Sequence, residues 1–329
     1  MSIEDFRNHL QRGGCVAIPT ETVYGLAAQY NSAEGIASIF RLKERPSFDP
    51  LIVHVASLEQ VRLLTADWNK TAALMAENFW PGPLTLVLKK LPSVNPMITS
   101  GLETVGIRMP RHSLALELLA SVGPLAAPSA NRFGRTSPTS IEHVREEFAG
   151  AVATGEILLL DGGPCEVGVE STVCLVNENE VILLRPGGIT IEQLNALFLS
   201  SPGHENTIVR AAVNHHASPG HLEHHYETKK PLILSWSEPR EMEKSYDVEG
   251  KSIHASRIMQ IELPRDPTLA ARVLYSALRE ADRDPTSDAL FIHRDVMQRG
   301  LSGGLWLAID DRLSRAARLQ IGFRPGVHA

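Results

Sequence analysis

The chain has 329 residues and a formal net charge of −6, from 32 Lys and Arg against 38 Asp and Glu. Hydrophobic residues make up 43% and charged residues 21%, which excludes a disordered chain, and the acidic balance excludes a cationic nucleic-acid coat. Its three cysteines include no C-x-x-C pair, which argues against a disulfide scaffold or a zinc ribbon.

Short apolar, β-rich runs fall at 15–18, 51–55, 84–88, 105–109, 125–127, 157–160, 173–176 and 181–184. Amphipathic stretches at 34–43, 57–65, 69–80, 113–121, 140–148 and 190–199 read as helices. Ser140 and Thr190 stand as helix caps, and Asn177–Asn179 reads as a hairpin turn. This mixture predicts an α/β domain over 1–205 whose sheet is only partly parallel. Residues 201–230 carry two Ser-Pro-Gly tripeptides and six of the 13 histidines, and 206–230 is the predicted linker. Beyond it, LILSW from Leu232 and ALFIH at 289–293 read as strands, and 267–281 and 304–319 as helices. These form a smaller βαβ-like domain over 231–329. No apolar run reaches the ~18 residues a membrane span needs, and the acidic N-terminus is no secretory signal, so a soluble cytoplasmic protein is expected.

Five clusters hold chemistry-bearing side chains. Pro19 to Leu26 places hydroxyls and a carboxylate at a strand end, where α/β folds bind ligands, although by composition alone it reads as a polar strand-to-helix turn with local capping bonds. Arg41, Lys43 and Arg45 close a predicted helix, either to complement its C-terminus or to clamp phosphate. Ala127 to Asn131, with Arg132 and Arg135 following, is dense in small, polar and basic residues. Gly162, Gly163 and Gly168 precede Glu170, Ser171 and Thr172, and Arg185 ends a strand before Pro186-Gly187-Gly188. Gly250-Lys251-Ser252 has the tail of a P-loop, but Ser245 stands where that motif needs glycine. The linker histidines His215, His216, His221, His224 and His225 read as solvated rather than zinc-binding.

In chain order, PTETVYGL, LKERP followed by PLIVH, WPGPLT, VGIRMP, APSANRFG, GVESTV and LRPGGIT make a specific set. With LPRDPT, LYSALREAD and AIDDRLSRAA further on, the chain resembles the long form of the threonylcarbamoyl-AMP synthase family. That resemblance implies a YrdC-like twisted mixed parallel and antiparallel sheet with helices, plus a smaller Rossmann-like α/β C-terminal domain. It implies synthesis of L-threonylcarbamoyladenylate and pyrophosphate from L-threonine, bicarbonate and ATP with Mg²⁺, by a nucleotidyltransferase. The product would serve a downstream tRNA threonylcarbamoyl transferase complex in modifying adenosine 37 of tRNA. The family tetrad falls on Lys43, Arg45, Ser129 and Asn131, expected as catalytic and ATP-binding. Thr104, Ser137, Arg185 and Tyr226 would also line the ATP site, and Thr20, His54, Arg108 and Ser171 would hold threonine. Asp49 stands where the family usually has Asn, and the segment after Ser218-Pro219-Gly220 departs from the family pattern. No protein metal ligand is expected. The alternative reading is an RNA-binding YrdC-like module without synthase activity, and weak RNA binding is a further expectation.

Overall fold

The computed structural model describes residues 1–211, 225–236, 245–248, 251–294 and 303–322. They divide into two compact units, Met1–Phe133 with Ser137–His221, and Gly134–Thr136 with Leu222–Ala329.

The first unit holds ten strands. In chain order they are β1 (Cys15–Ile18), β2 (Gly25–Gln29), β3 (Ile52–His54), β4 (Leu84–Lys89) and β5 (Thr104–Arg108). β6 (Leu125–Ala126), β7 (Ile157–Leu159), β8 (Thr172–Val176), β9 (Glu180–Arg185) and β10 (Ile208–Ala211) follow. Their order in one sheet is β10-β9-β8-β4-β5-β3-β6-β2-β1-β7. The β1/β7, β3/β5, β4/β8 and β9/β10 pairs are parallel, and the other neighbours are antiparallel.

Burial explains why these runs are strands. Leu84, Leu86 and Leu88 of β4 join Cys174, Val176, Val181 and Leu183 under the helices Lys70–Phe79 and Ile191–Ser200. The opposite face of the same strands carries only a thin apolar floor of Ile52, Val87, Val173 and Leu184. Further along that face, the helices Ile3–Gln11 and Ser113–Val122 seat Phe6, Leu10, Leu118 and Leu119 on Val16, Ile18 and Leu125. Helical cover therefore stops near β3, and the face beyond it is left for polar side chains.

The helix ends follow local chemistry. Ser2 with Asp5, and Thr190 with Gln193, form capping boxes, whereas Ser140 caps by position without a side-chain hydrogen bond. Ser32 starts the helix Ala33–Lys43, which ends where Glu44 turns left-handed at φ 53°.

In the second unit, β11 (Leu232–Ser235), β14 (Ile258–Gln260), β15 (Ala289–His293) and β16 (Leu319–Ile321) form a parallel sheet in the order β14-β15-β11-β16. A separate hairpin pairs β12 (Ser245–Val248) with β13 (Lys251–His254). The helix Pro267–Arg283 links β14 to β15, and Leu305–Ala316 lies between β15 and β16. Both crossovers run the same way across the sheet, so right-handedness puts both helices on one face. This is the expected smaller Rossmann-like unit.

Several expectations are corrected. The predicted helix over 57–65 is a single turn, Leu58–Val61. The last helix stops at Ala316, and Leu319–Ile321 is a strand beside β11. Within the predicted linker 206–230, residues 208–211 form β10 and pair with β9. Lys251 and Ser252 open a hairpin strand, in keeping with rejection of a P-loop. His215, His216, His221 and His224 lie outside the described residues.

Candidate functional site

Register assigns the site its face. Side chains alternate along a strand, so Thr104, Gly106 and Arg108 of β5 share one side of the sheet. Ile52 and His54 of β3 are paired with Gly106 and Arg108, and Val87 of β4 is paired with Gly106. Thr85 is paired with Val173 of β8, and Val173 with Arg185 of β9. His54, Thr85, Arg108 and Arg185 thus rise from the uncovered face around the thin apolar floor, and Ser171 joins them just before β8.

At one end of this face, Arg108 is tied on three sides. Its Nη2 pairs with Glu21 Oε1 at 2.8 Å, Nη1 donates to Thr22 Oγ1 at 2.9 Å, and Nε donates to Gly82 O at 3.3 Å. Glu21 is 1% exposed, and its other oxygen accepts from Arg111 N. Thr20 shapes the turn beneath: its hydroxyl donates to Val23 O at 2.6 Å and accepts from the Thr22 and Val23 amides. Glu21 belongs to the motif singled out by sequence, but its role as the carboxylate that holds Arg108 does not follow from spacing.

His54 stands beside Arg108 in register. Burial, and then the Arg108 charge, push its pKa down to about 3, so the imidazole is neutral at working pH. Its Nδ1 is buried with no hydrogen-bond partner among the described residues. A group kept neutral in the fold but protonated near 6.5 when unfolded costs stability as the solution is acidified. That contribution is fully present above pH 6.5 and is lost progressively as pH falls towards 3. We expect His54→Gln to flatten this part of the acid limb, read as the change in urea midpoint between neutral and mildly acidic buffer. An identical acid limb in both proteins would remove the assignment.

A second group gathers around the Ala127–Asn131 segment. Ala127 N donates to Ile52 O, Leu26 N to Pro128 O and Ala130 N to Tyr24 O, so the segment is held between β2 and β3. Lys43, in the last turn of its helix and 1% exposed, extends Nζ to the carbonyls of Ser129 and Asn131. Burial, followed by the Arg45 charge, lowers the Lys43 pKa well below 10.5. Arg45 curls onto the next turn: Nη2 meets Asp49 Oδ2 at 2.9 Å and donates to Pro50 O, and Nε donates to Asp49 O. Asp49 therefore offsets the Arg45 charge inside the fold. Lys43, Arg45, Ser129 and Asn131 are brought together as expected, but with Lys43 and Arg45 engaged by backbone carbonyls.

The third group joins strand ends. Ser171 Oγ shares a 2.8 Å hydrogen bond with Thr85 Oγ1, and Arg185 donates from Nη2 to Ser171 O and Oγ. Gly187 makes this packing feasible, since a Cβ there would stand 2.3 Å from Thr172 N and 2.4 Å from Glu170 O. Ser137 Oγ donates to Glu170 Oε1 at 2.6 Å.

Thr104 lies apart from these, at the opposite end of β5 from Arg108, about 13 Å along the strand. It lines a shallow depression with Pro50, Thr85 and Thr99 over Gly106. Tyr226 belongs to the second unit, where its ring is buried and tilts against Tyr275 at 5.6 Å.

The site has no covalent nucleophile of the thiol kind. Burial pushes the thiols of Cys15, Cys165 and Cys174 up to about 12, so they stay protonated. Among the described residues, no three His, Cys, Asp or Glu side chains gather to hold a metal ion.

Comparison with known proteins adds the family. A profile described as "Telomere recombination" (Sua5_yciO_yrdC) matches residues 8–187, and one described as "Threonylcarbamoyl-AMP synthase, C-terminal domain" matches 189–318. The chain is 37% identical over 327 residues to the threonylcarbamoyl-AMP synthase of Pyrococcus abyssi, covering 95% of this chain and 93% of that one. It is 38% identical over 331 residues to the Bacillus subtilis enzyme of the same name, covering 94% and 90%. Its fold matches the crystal structure of P. abyssi Sua5 complexed with L-threonine at a TM-score of 0.80, with 33% identity over 97% of this chain and 96% of that one. The two matched domains, with 37–38% identity over about 95% of the chain, place this chain in the threonylcarbamoyl-AMP synthase family.

Proposed function

We propose that the chain condenses L-threonine, bicarbonate and MgATP into L-threonylcarbamoyladenylate and pyrophosphate, as a nucleotidyltransferase. The observation that carries this reading is the convergence of His54, Thr85, Arg108, Ser171 and Arg185 on one side of the sheet, next to the segment gripped by Lys43.

The threonine carboxylate is assigned to Arg108, and its hydroxyl to neutral His54 and the Ser171–Thr85 hydroxyl pair. Thr20 shapes the turn that presents Arg108. The free amine of threonine and CO₂ from bicarbonate give a carbamate. A carbamate oxygen then bonds to the α-phosphorus of ATP while the bond to the β-phosphate oxygen breaks, expelling pyrophosphate. Such a step needs positioning and charge stabilisation rather than a protein nucleophile. Lys43 and Arg45 would stabilise the departing negative charge, with Ser129 and Asn131 donating to phosphate oxygens. Ser137, Arg185 and Thr104 would line the rest of the nucleotide site. The site carboxylates Glu21, Asp49 and Glu170 are each engaged by Arg108, Arg45 and Ser137, so they do not fit a resident metal cage. Mg²⁺ is therefore assigned to the nucleotide substrate, held by its phosphates.

The product would pass to a tRNA threonylcarbamoyl transferase complex, which places the work in the cytoplasm. No helix among the described residues is long and apolar enough to cross a membrane. No observation favours the RNA-binding module.

Mass detection of the adenylate, with threonine, bicarbonate and ATP omitted in turn, tests the reading. The product is expected only when all three are present. Salt-dependent RNA binding without pyrophosphate release would reverse the choice between the two readings.

Gly106 gives a sharper test of the nucleotide position. A Cβ there would lie 3.3 Å from Thr85 Cγ2 and 3.4 Å from Ile52 Cγ1, in the floor of the depression that Thr104 lines. Gly106→Ala is expected to raise the KM for ATP about tenfold and the threonine KM by less, because the added methyl sits under the nucleotide position and touches the threonine side only through Thr85. An unchanged ATP KM would move the nucleotide off this surface.

A further inference from the structure

We propose that the second unit carries an oxyanion site of its own at the carboxyl end of its parallel sheet. It would take a phosphoryl group, free or esterified, on Arg294, Trp306 and the first turn of the helix Leu305–Ala316.

Arg294 directly follows β15 and is 1% exposed. Its Nε and Nη2 grip Asp310 side-on, at 2.8 and 3.1 Å. Its guanidinium carbon lies 3.8 Å from the ring centre of Trp306, also 1% exposed. Two buried donors remain without an acceptor among the described residues, Arg294 Nη1 and Trp306 Nε1. Neither group can accept a hydrogen bond, so only a ligand with acceptor atoms satisfies them. Leaving both unmade is costly, which is the physical motive for an occupant.

The orientation follows from the helix. Trp306 is its second residue, and side chains tilt towards a helix N-terminus, so the indole and the guanidinium stacked on it lie over the first turn. Asp310 lies one turn further along on the same side. Because Nε and Nη2 face Asp310, Nη1 points the other way, towards the helix start. There the N–H groups of Leu305 and Trp306 have no intrahelical acceptor, and the N-cap is Gly304, which has no side chain to supply one. Gly304 sits at φ 60°, and among the described residues a Cβ on it would meet nothing within 4 Å. Parallel α/β sheets bind ligands beyond their carboxyl ends, and helix starts favour oxyanions. Asp310 already offsets the arginine charge, which suits a phosphoryl group gripped by directed donors rather than a polyanion held by net charge.

The full-length ¹⁵N-labelled chain provides the test, through the indole N–H resonances of its four tryptophans. Trp306→Phe assigns the signal, and Trp68→Phe, Trp80→Phe and Trp236→Phe together assign it by elimination if that variant does not fold. Titration with inorganic phosphate is expected to move the Trp306 indole proton downfield along a saturable curve while Trp68 and Trp80 stay in place. Movement with AMP but not with phosphate would support an esterified phosphoryl ligand. Trp306→Phe keeps a ring under the guanidinium but lacks the donor, and is expected to weaken the second-unit binding about tenfold by calorimetry. The wild-type shift should persist in Lys43→Ala, so it stands apart from any phosphate grip in the first unit. A Trp306 signal unmoved by phosphate, pyrophosphate and AMP, or one that drifts without saturation, overturns the proposal.

Discussion

Lys43→Ala is expected to lower the rate of adenylate formation by about 10²–10³-fold, the scale of losing one preorganised donor to developing charge. The ammonium is buried, and it already binds the Ser129 and Asn131 carbonyls, so it is positioned before any nucleotide arrives. Lys43→Arg should rescue little, since a longer planar fork cannot reproduce a compact charge between two carbonyls. The depressed Lys43 pKa adds a pH signature. The vacant site loses this proton below 10.5, whereas a bound triphosphate favours the charged amine. Nucleotide binding should therefore take up a proton wherever the vacant site has already lost it, and affinity should fall as pH rises through that range. Calorimetry in two buffers of different ionisation enthalpy reads this uptake directly. Wild-type pyrophosphate release from Lys43→Ala would remove Lys43 from the reaction.

Much of this site was legible in the sequence because motif residues sit at strand ends, and strand ends recur as ligand positions. Lys43 meets Ser129 and Asn131, residues the motifs grouped, whereas the Ser171–Arg185 contact joins two residues that the resemblance had given to different ligands. The buried ion pairs did not show. Glu21 and Arg108 are 87 positions apart in order and are brought together only by the β3–β5 and β1–β2 ladders, which depend on the whole sheet. The pairing of Asp49 with Arg45 is local, four residues apart, but it needs the turn between them, in which Asp49 N donates to Pro46 O, to fold one back on the other. The strands missed have equally plain causes. Gly25–Gln29 is rich in glycine and alanine, and β10 lies within a stretch of exposed side chains, so neither carries an apolar alternation. The over-long helix at 57–65 had apolar spacing, and Val61 and Leu64 are both buried, but the chain leaves the helix after Val61 so that Leu64 O accepts from Leu91 N and Thr65 bridges Lys90.

Arg108 and Glu21 should separate scaffold from binding when changed singly and together. Arg108→Met removes the partner of a carboxylate that is 1% exposed, and stranding a buried charge costs about 3–5 kcal/mol. Glu21→Leu strands the guanidinium in the same way. Replacing both at once leaves no unpaired charge, and such apolar replacements of buried pairs are often neutral or stabilising. The double variant should thus recover most of the urea midpoint that either single change loses. Threonine binding should follow a different pattern, because the carboxylate of the amino acid needs the guanidinium fork and not merely a folded sheet. We expect the threonine KM to rise at least about tenfold in the double variant despite its restored stability, on the scale of losing a charge-assisted hydrogen bond. If restoring the fold restored threonine binding as well, Arg108 would be a strut of the sheet, and the amino acid would have to be held by other groups on the face.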